Sequence, residues 1–304
     1  MRGTSVPPPQ LFLRPGERLV LAAPDPRVCR FCGQDSASTP FRHDAHAIPQ
    51  LLGNRTLFTR EECDECNRFF GSTIENDLGN WTKPMRAFSR IKGKKGVPTL
   101  KNEKEGWRIK SDGTGLRMTE CESNPKFKVD IEKRQFSLQL KRDPYTPVAV
   151  LKALVRVGLI LLPNDELANF AETLEWVRNR DHTQPFVSEF PVFQTFQPGP
   201  MPNDLIVAML MRRQPPSVDV PYAFLVLAYG NEVYQVFLPS PRKDRTIHGQ
   251  KLSLPAFPTP LGLDLERFGR PSTRLIDLCG RDTVTDDVHP ISMGFESVEV
   301  HGSP

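Results

Sequence analysis

The sequence predicts an α+β protein made of a small cysteine-framed module followed by a larger region of mixed strands and helices. Three observations carry this. Two Cys-x-x-Cys pairs, Cys29/Cys32 and Cys63/Cys66, bracket thirty residues. Residues 105–142 alternate apolar and polar side chains in short runs separated by turns. Residues 147–162 repeat apolar side chains every three or four positions. The 304 residues suffice for two domains, and thirty prolines favour short elements and ordered loops over a helical bundle.

Residues 1–25 read as a leader, with the cluster Pro7-Pro8-Pro9 giving way to a short strand at Arg18–Ala22. Residues 26–90 form the cysteine module. Four thiolates in two knuckles are the donor set of a tetrahedral zinc site with no open position, so Cys29, Cys32, Cys63 and Cys66 are expected to hold a structural Zn2+ that folds the module. Between the knuckles the pattern reads strand, loop, strand. After Cys66-Asn67, Phe69, Phe70, Ile74 and Leu78 recur at helical spacing. From Gly79 to Lys104, eight basic residues face one acidic residue, Glu103. Arg86, Arg90, Lys92, Lys94 and Lys95 are the candidates for gripping a nucleic-acid backbone, against the alternative that the whole basic stretch Lys83–Lys104 is solvated linker; residues 91–104 read as a basic linker between the two parts.

Residues 105–240 read as an α+β domain. Trp107–Lys110 and Leu116–Thr119 pair across a turn at Asp112-Gly113, and Phe127–Ile131 and Phe136–Leu140 form a second pair. Pro147 suits the first position of a helix running to Leu162. Its Lys152 and Arg156 lie four apart and are expected on a solvated edge of a buried helix, with an effector or nucleic-acid contact as the alternative. A further helix runs from Asn164 to Arg178. Leu205–Met211, Ala223–Ala228 and Val233–Leu238 read as strands, the last two joined by Gly230-Asn231. Residues 241–304 are rich in Pro, Gly and charge, and no element is assigned there.

Six cysteines in a chain this long do not make a disulfide scaffold, which points to a reducing compartment. No apolar run has signal-peptide character or the length to span a bilayer, so a cytoplasmic protein without a membrane partner is expected. The net charge of +4 is compatible with an anionic partner.

The strings His46-Ala47-Ile48-Pro49, Leu52-Gly53-Asn54 and Cys63-Asp64-Glu65-Cys66-Asn67 occur in one order and resemble the HNH (ββα-metal) endonucleases with a zinc-knuckle frame. The resemblance spans residues 29–78. It implies a treble-clef-like ββα-metal module that hydrolyses phosphodiester bonds in DNA, RNA not being excluded, with Mg2+ or Mn2+ as a catalytic cofactor beside the structural zinc. His46 matches the general base, Asn54 the asparagine that orients base and strand, and Asn67 a metal ligand at the start of the helix. Many members carry an acidic residue or histidine just before the base, where this chain has Ala45. Asp44 is therefore the expected second ligand, with His43 as runner-up. Glu75 is expected to face solvent, a further ligand role being the alternative. The resemblance also associates such modules with anti-phage defence and mobile elements. It does not extend to residues 105–304, a region larger than catalysis requires, which is expected to bind substrate, form a homo-oligomer, or sense an activating protein or a small-molecule ligand. The competing reading is a non-catalytic zinc-knuckle module that binds nucleic acid or protein.

Overall fold

Alternation and turn chemistry place most of the strands where the sequence put them, and packing decides the rest. The computed structural model describes residues 16–21, 23, 25–121, 125–182, 191–214, 220–247, 254, 256–257, 265–295 and 297. The cluster Pro7-Pro8-Pro9 lies outside these residues.

The module opens with β1 (Leu19–Leu21), β2 (Ala45–His46) and β3 (Leu57–Thr59), in the order β1-β3-β2. β1 runs parallel to β3, with Val20 opposite Phe58, and β2 runs antiparallel, with His46 opposite Phe58. The strand expected in the leader is thus an edge of the module's own sheet. Side chains alternate across a strand. Ala45, Leu57 and Thr59 are buried on one face, while His46 and Phe58 are half-buried on the other.

Helix α1 (Asp64–Ser72) follows, then α2 (Ile74–Phe88). The single expected helix is broken at Thr73, whose backbone leaves helical geometry (φ −121°, ψ −98°) and whose hydroxyl donates to the Phe69 carbonyl at 2.7 Å. Apolar spacing alone does not register such a break, because Phe70, Ile74 and Leu78 are all buried on both sides of it.

The larger region contains β4 (Leu100–Asn102), β5 (Trp107–Ser111) and β6 (Leu116–Thr119) as one antiparallel sheet. Next come β7 (Lys128–Asp130), β8 (Gln135–Lys141), α3 (Pro147–Leu161) and α4 (Ala171–Arg178), the last preceded by a 3-10 segment at Asn164–Phe170. β9 (Val192–Phe196), β10 (Ile206–Arg212), β11 (Ala223–Tyr229) and β12 (Glu232–Leu238) follow. The short helix α5 (Leu265–Phe268), β13 (Ser272–Ile276) and β14 (Val288–Gly294) complete the described elements. The main sheet has the order β10-β11-β12-β9-β13, and a third sheet the order β14-β8-β7. Residues 241–304 therefore contribute strands to two sheets. Residues 91–104 include Ile91 in the core and β4 in a sheet, so they act as more than a linker.

One apolar core runs from Cys29, Phe31 and Phe70 of the module through α3 to Tyr234, Leu238 and Leu278. Helix α3 is its axis, buried from Pro147 to Ile160. Gly158 lets it close on β12, since a Cβ there would overlap the side chain of Leu238. No helix among the described residues is long and apolar enough to cross a membrane.

The solvated edge expected for Lys152 and Arg156 does not exist, because both are 0% exposed. Lys152 donates from Nζ to the Asn179 carbonyl at 2.9 Å and lies 5.3 Å from the Trp176 ring centroid. Burial pulls its pKa down to about 8. The partners of Arg156 belong to the module and are described below.

A second buried polar group joins β8 to β14. Arg142 donates to Asp287 at 2.5 Å and to Nδ1 of His289 at 2.9 Å, and the Tyr145 hydroxyl donates to Asp287 at 2.7 Å. Since arginine only donates, His289 accepts as the neutral imidazole. Burial, then the Arg142 charge, pull its pKa down to about 4. A histidine depressed in this way contributes stability in full above the ordinary imidazole pKa and loses it as pH falls toward 4. Urea denaturation is expected to show His289 costing up to about 3 kcal/mol between pH 6.5 and 4. His289→Gln should lose less stability than wild type across that window. Equal slopes would contradict the assignment.

Candidate active site and zinc knuckle

The first knuckle turns at Gly33 (φ +71°), where glycine tolerates the left-handed backbone, and the Gly33 N–H closes on the Cys29 carbonyl at 2.8 Å. The second knuckle is the start of α1. Cys63 is its N-cap, with Sγ accepting from the Cys66 N–H at 3.4 Å. Asn67 is thus the fourth residue of the helix and not its cap. All four Sγ atoms lie within 4.8 Å of one another, and Cys32 and Cys63 are 3.8 Å apart. Tetrahedral zinc with Zn–S bonds of about 2.3 Å sets sulfurs roughly 3.8 Å apart, so the cluster fits such an ion. Hydrogen bonding from Cys66 pulls the Cys29 thiol down to about 4, and burial pushes Cys32 up to about 11. One thiolate is formed readily and its neighbours resist, a conflict that a divalent cation at the centre resolves.

His46 stands on the open face of the three-stranded sheet. Its ring packs 4.6 Å from Phe58, and its Nδ1 is buried with no hydrogen-bond partner among the described residues. Burial, then the charges of Arg55 and Arg156, lower its pKa, so the neutral, proton-accepting form prevails at neutral pH.

Asn54 is 3% exposed, and its amide is fully committed to backbone. Nδ2 donates to the carbonyls of Ile48 and Leu57 at 2.8 Å each, and Oδ1 accepts from the N–H groups of Thr56 and Leu57 at 3.1 and 3.0 Å. It clamps the β2–β3 connection two residues from His46 on one side and at β3 on the other. The side chain of Asn67 is half-buried and has no hydrogen-bond partner among the described residues. It forms no ring contact or hydrogen bond with His46.

Asp44 accepts from Nη2 of Arg18 at 2.5 Å and from Nε of Arg60 at 2.9 Å. Burial raises its pKa but the two arginines outweigh that, and the net shift is downward. Exposed His43 lies 3.6 Å from Asp64 at the start of α1. Glu75 faces inward on α2 instead of toward solvent and accepts from Arg156 Nη1 at 2.8 Å. The break at Thr73 separates it from the face of Asn67.

Two arginines dock the knuckles on α3. Arg156 donates through Nη2 to both oxygens of Glu62, the neighbour of Cys63, at 2.8 and 2.6 Å. Its guanidinium lies 4.9 Å from the Phe70 ring centroid and 5.8 Å from that of Phe31. The Glu62–Arg156 side chains are 0% and 1% exposed. Arg30, between Cys29 and Cys32, reaches the other way. It donates to the carbonyls of Leu159 and Leu162 at the end of α3, at 2.7 and 2.6 Å, and to Glu61 and Asn164 at 2.5 Å each. Nothing in the local sequence marks Arg30 or Glu62, and Arg156 reads there as a solvated edge. The one available signal was that charges at 152 and 156 sit in a helix with no polar face.

The basic stretch divides. Arg86 is buried and spent on Thr82, Leu51 and Gly79 at 2.9, 3.2 and 2.7 Å, so it corrects to a structural residue that braces α2 against the loop after β2. Arg90 is half-buried and donates to the Thr114 carbonyl at 2.5 Å. Lys92, Lys94 and Lys95 are exposed on a turn closed by Gly93 and Gly96. Arg55 donates to the Lys92 and Gly93 carbonyls, bringing this turn to the loop that follows His46.

Residues 29–82 match the family model described as HNH endonuclease. The match covers both knuckles, β2, β3, α1 and α2 as far as Thr82, which are the elements that gather His46, Asn54, Asn67 and the four thiols. It implies a nuclease acting on nucleic acid. No curated protein and no solved structure matches the chain.

Removing one member of a buried ion pair strands its partners. Arg156→Ala is expected to lower stability by about 3–5 kcal/mol, because Glu62 and Glu75 lose their partner in the interior, and Glu62, whose pKa burial already pushes up to about 7, must then take up a proton to stay there. Urea denaturation measures this. The double change Arg156→Met with Glu62→Gln should cost less than Arg156→Ala alone. A loss below about 0.5 kcal/mol for Arg156→Ala, the level of an ordinary surface change, would contradict the packing described.

Proposed function

We propose that the N-terminal module is a divalent-cation-dependent endonuclease that hydrolyses phosphodiester bonds in DNA. The observation that carries this reading is the neutral, half-buried imidazole of His46 on the open face of a hairpin braced by Asn54, within a module that matches the HNH endonuclease model. His46 accepts a proton from water as the oxygen attacks phosphorus, and the bond from phosphorus to the leaving oxygen breaks. Asn54 acts by positioning, since its amide is consumed in fixing the hairpin. Asn67 and Asp44 offer hard oxygen donors suited to Mg2+ or Mn2+, which supplies neutralisation of the charge on the leaving oxygen. Asp44 serves in this way only after giving up Arg18 and Arg60. The four thiolates hold a structural Zn2+.

Lys92, Lys94, Lys95 and Arg90 extend a positive surface beyond Arg55 and contact backbone phosphates, which gives affinity without sequence preference. The larger region couples through α3 to the knuckles, so a partner or ligand bound there has a route to the site. A cytoplasmic role in defence against foreign DNA suits a nuclease controlled in this manner.

A second reading rests on a specific observation. Ala45 is buried beside His46, and Asp44 is occupied by two arginines. This is the arrangement expected of a zinc-knuckle module that binds nucleic acid without cutting it.

Plasmid cleavage by purified protein with Mg2+ or Mn2+ separates the two. Cleavage abolished by EDTA and reduced about 100-fold or more by His46→Ala is expected. Cutting that survives His46→Ala would remove His46 from the mechanism. Binding without cutting under every metal condition would favour the second reading.

A further inference from the structure

We propose that Arg18 and Arg60 form a two-arginine clamp for a phosphodiester group of the nucleic acid beside His46. The inference rests on the nuclease reading for the identity of the ligand, and on the sheet for its geometry.

Strand register puts the four side chains together. Val20 and His46 both lie opposite Phe58. Arg18 is two residues before Val20, Arg60 two after Phe58 and Asp44 two before His46, so all of them rise from the same face. The opposite face is the buried one. Arg18 lies 4.7 Å from the centroid of the Phe58 ring, the same ring against which His46 packs. That stacking holds a long side chain in place at the site.

The exposures run in a telling direction. The side chain of Asp44 is 13% exposed, and those of Arg18 and Arg60 are 57% and 44% exposed. The anion is covered and the two cations face outward. Each arginine gives Asp44 one N–H, so most of the five donors on each fork remain free, in the planar arrangement that phosphate accepts in pairs. Two guanidiniums on one carboxylate leave a surplus positive charge, and Arg55 adds to it near His46. Exposed ion pairs of this kind add little to stability, so holding the fold together does not account for the cluster. Orienting donors toward an incoming anion does.

Binding of a fluorescein-labelled DNA duplex in EDTA, followed by anisotropy over a salt series, tests the clamp apart from cleavage. The variants are Arg18→Ala, Arg60→Ala, their double, and Arg18→Lys, each checked by thermal melting. Each alanine is expected to weaken binding several-fold and to reduce the slope of log Kd against log salt by about one. Arg18→Lys should keep the slope, because the charge remains, yet bind more weakly, because the fork is lost. In Mg2+ or Mn2+ the alanines should lower kcat/KM on the same duplex by at least as much as they lower affinity.

If the double variant melts, binds and cuts as wild type does, the clamp is overturned and the nuclease reading stands. If the wild type cuts nothing but binds in a manner that depends on Arg18 and Arg60, the nuclease reading fails and the clamp stands. A wild type that neither binds nor cuts DNA overturns both.

Discussion

Arg156 carries a charge that the interior holds only because Glu62 and Glu75 meet it there, between the rings of Phe31 and Phe70. Desolvating a guanidinium is expensive, and a bidentate carboxylate, a second carboxylate and two aromatic faces together offset it. Its Nε has no acceptor among the described residues, so the offset they provide is incomplete. Glu62 precedes Cys63 in the chain, Phe31 lies between Cys29 and Cys32, and Phe70 lies on α1. One side chain from α3 therefore fixes both knuckles and the helix that bears Asn67. Arg30 makes the reciprocal contact from the first knuckle to the end of α3. The zinc frame and the larger region are one packed object, and their shared core follows from this pair of arginines.

That arrangement gives the open face of the small sheet its character. The buried face takes Ala45, Leu57 and Thr59, Asn54 locks the connection between β2 and β3, and His46 is left facing outward in a positive field set by Arg55 and Arg156. Burial first, and then this field, keep the imidazole neutral, and a positive field favours an anion. The backbone bonds of Asn54 fix the hairpin that carries His46, while Lys92, Lys94 and Lys95 stand exposed on their turn.

Much of this was legible in the sequence where local physics governs. Alternation located β5 through β8, Gly230-Asn231 located the β11–β12 turn, Pro147 and the apolar period located α3, and cysteine spacing located the metal cluster. Long-range partners were not legible. Ser272–Ile276 becomes β13 only by pairing with Val192–Phe196, and Val288–Gly294 becomes β14 only against β8. The break at Thr73 is invisible to a periodicity that both flanking helices satisfy. Arg86 reads as a nucleic-acid contact and Arg156 as a solvated edge because composition records charge and is blind to the buried acceptors that take their N–H groups. Resemblance singles out Asn54, but that its amide is used up in bracing the hairpin emerges only from its four backbone bonds. Arg18 and Arg60 follow the two-residue period around Phe58, yet only the register of three strands brings them to His46.

Hydrogen exchange on the zinc-loaded protein, before and after a strong chelator, tests most directly whether the knuckles and α3 form one unit. If they do, stripping the metal frees Glu62 and Phe31 from their places around Arg156, and the amides of Val148–Ile160 lose protection together with those of α1. If α3 keeps its full protection while α1 exchanges freely, the arginine does not tie the two together, and the module is an independent unit resting on the larger region.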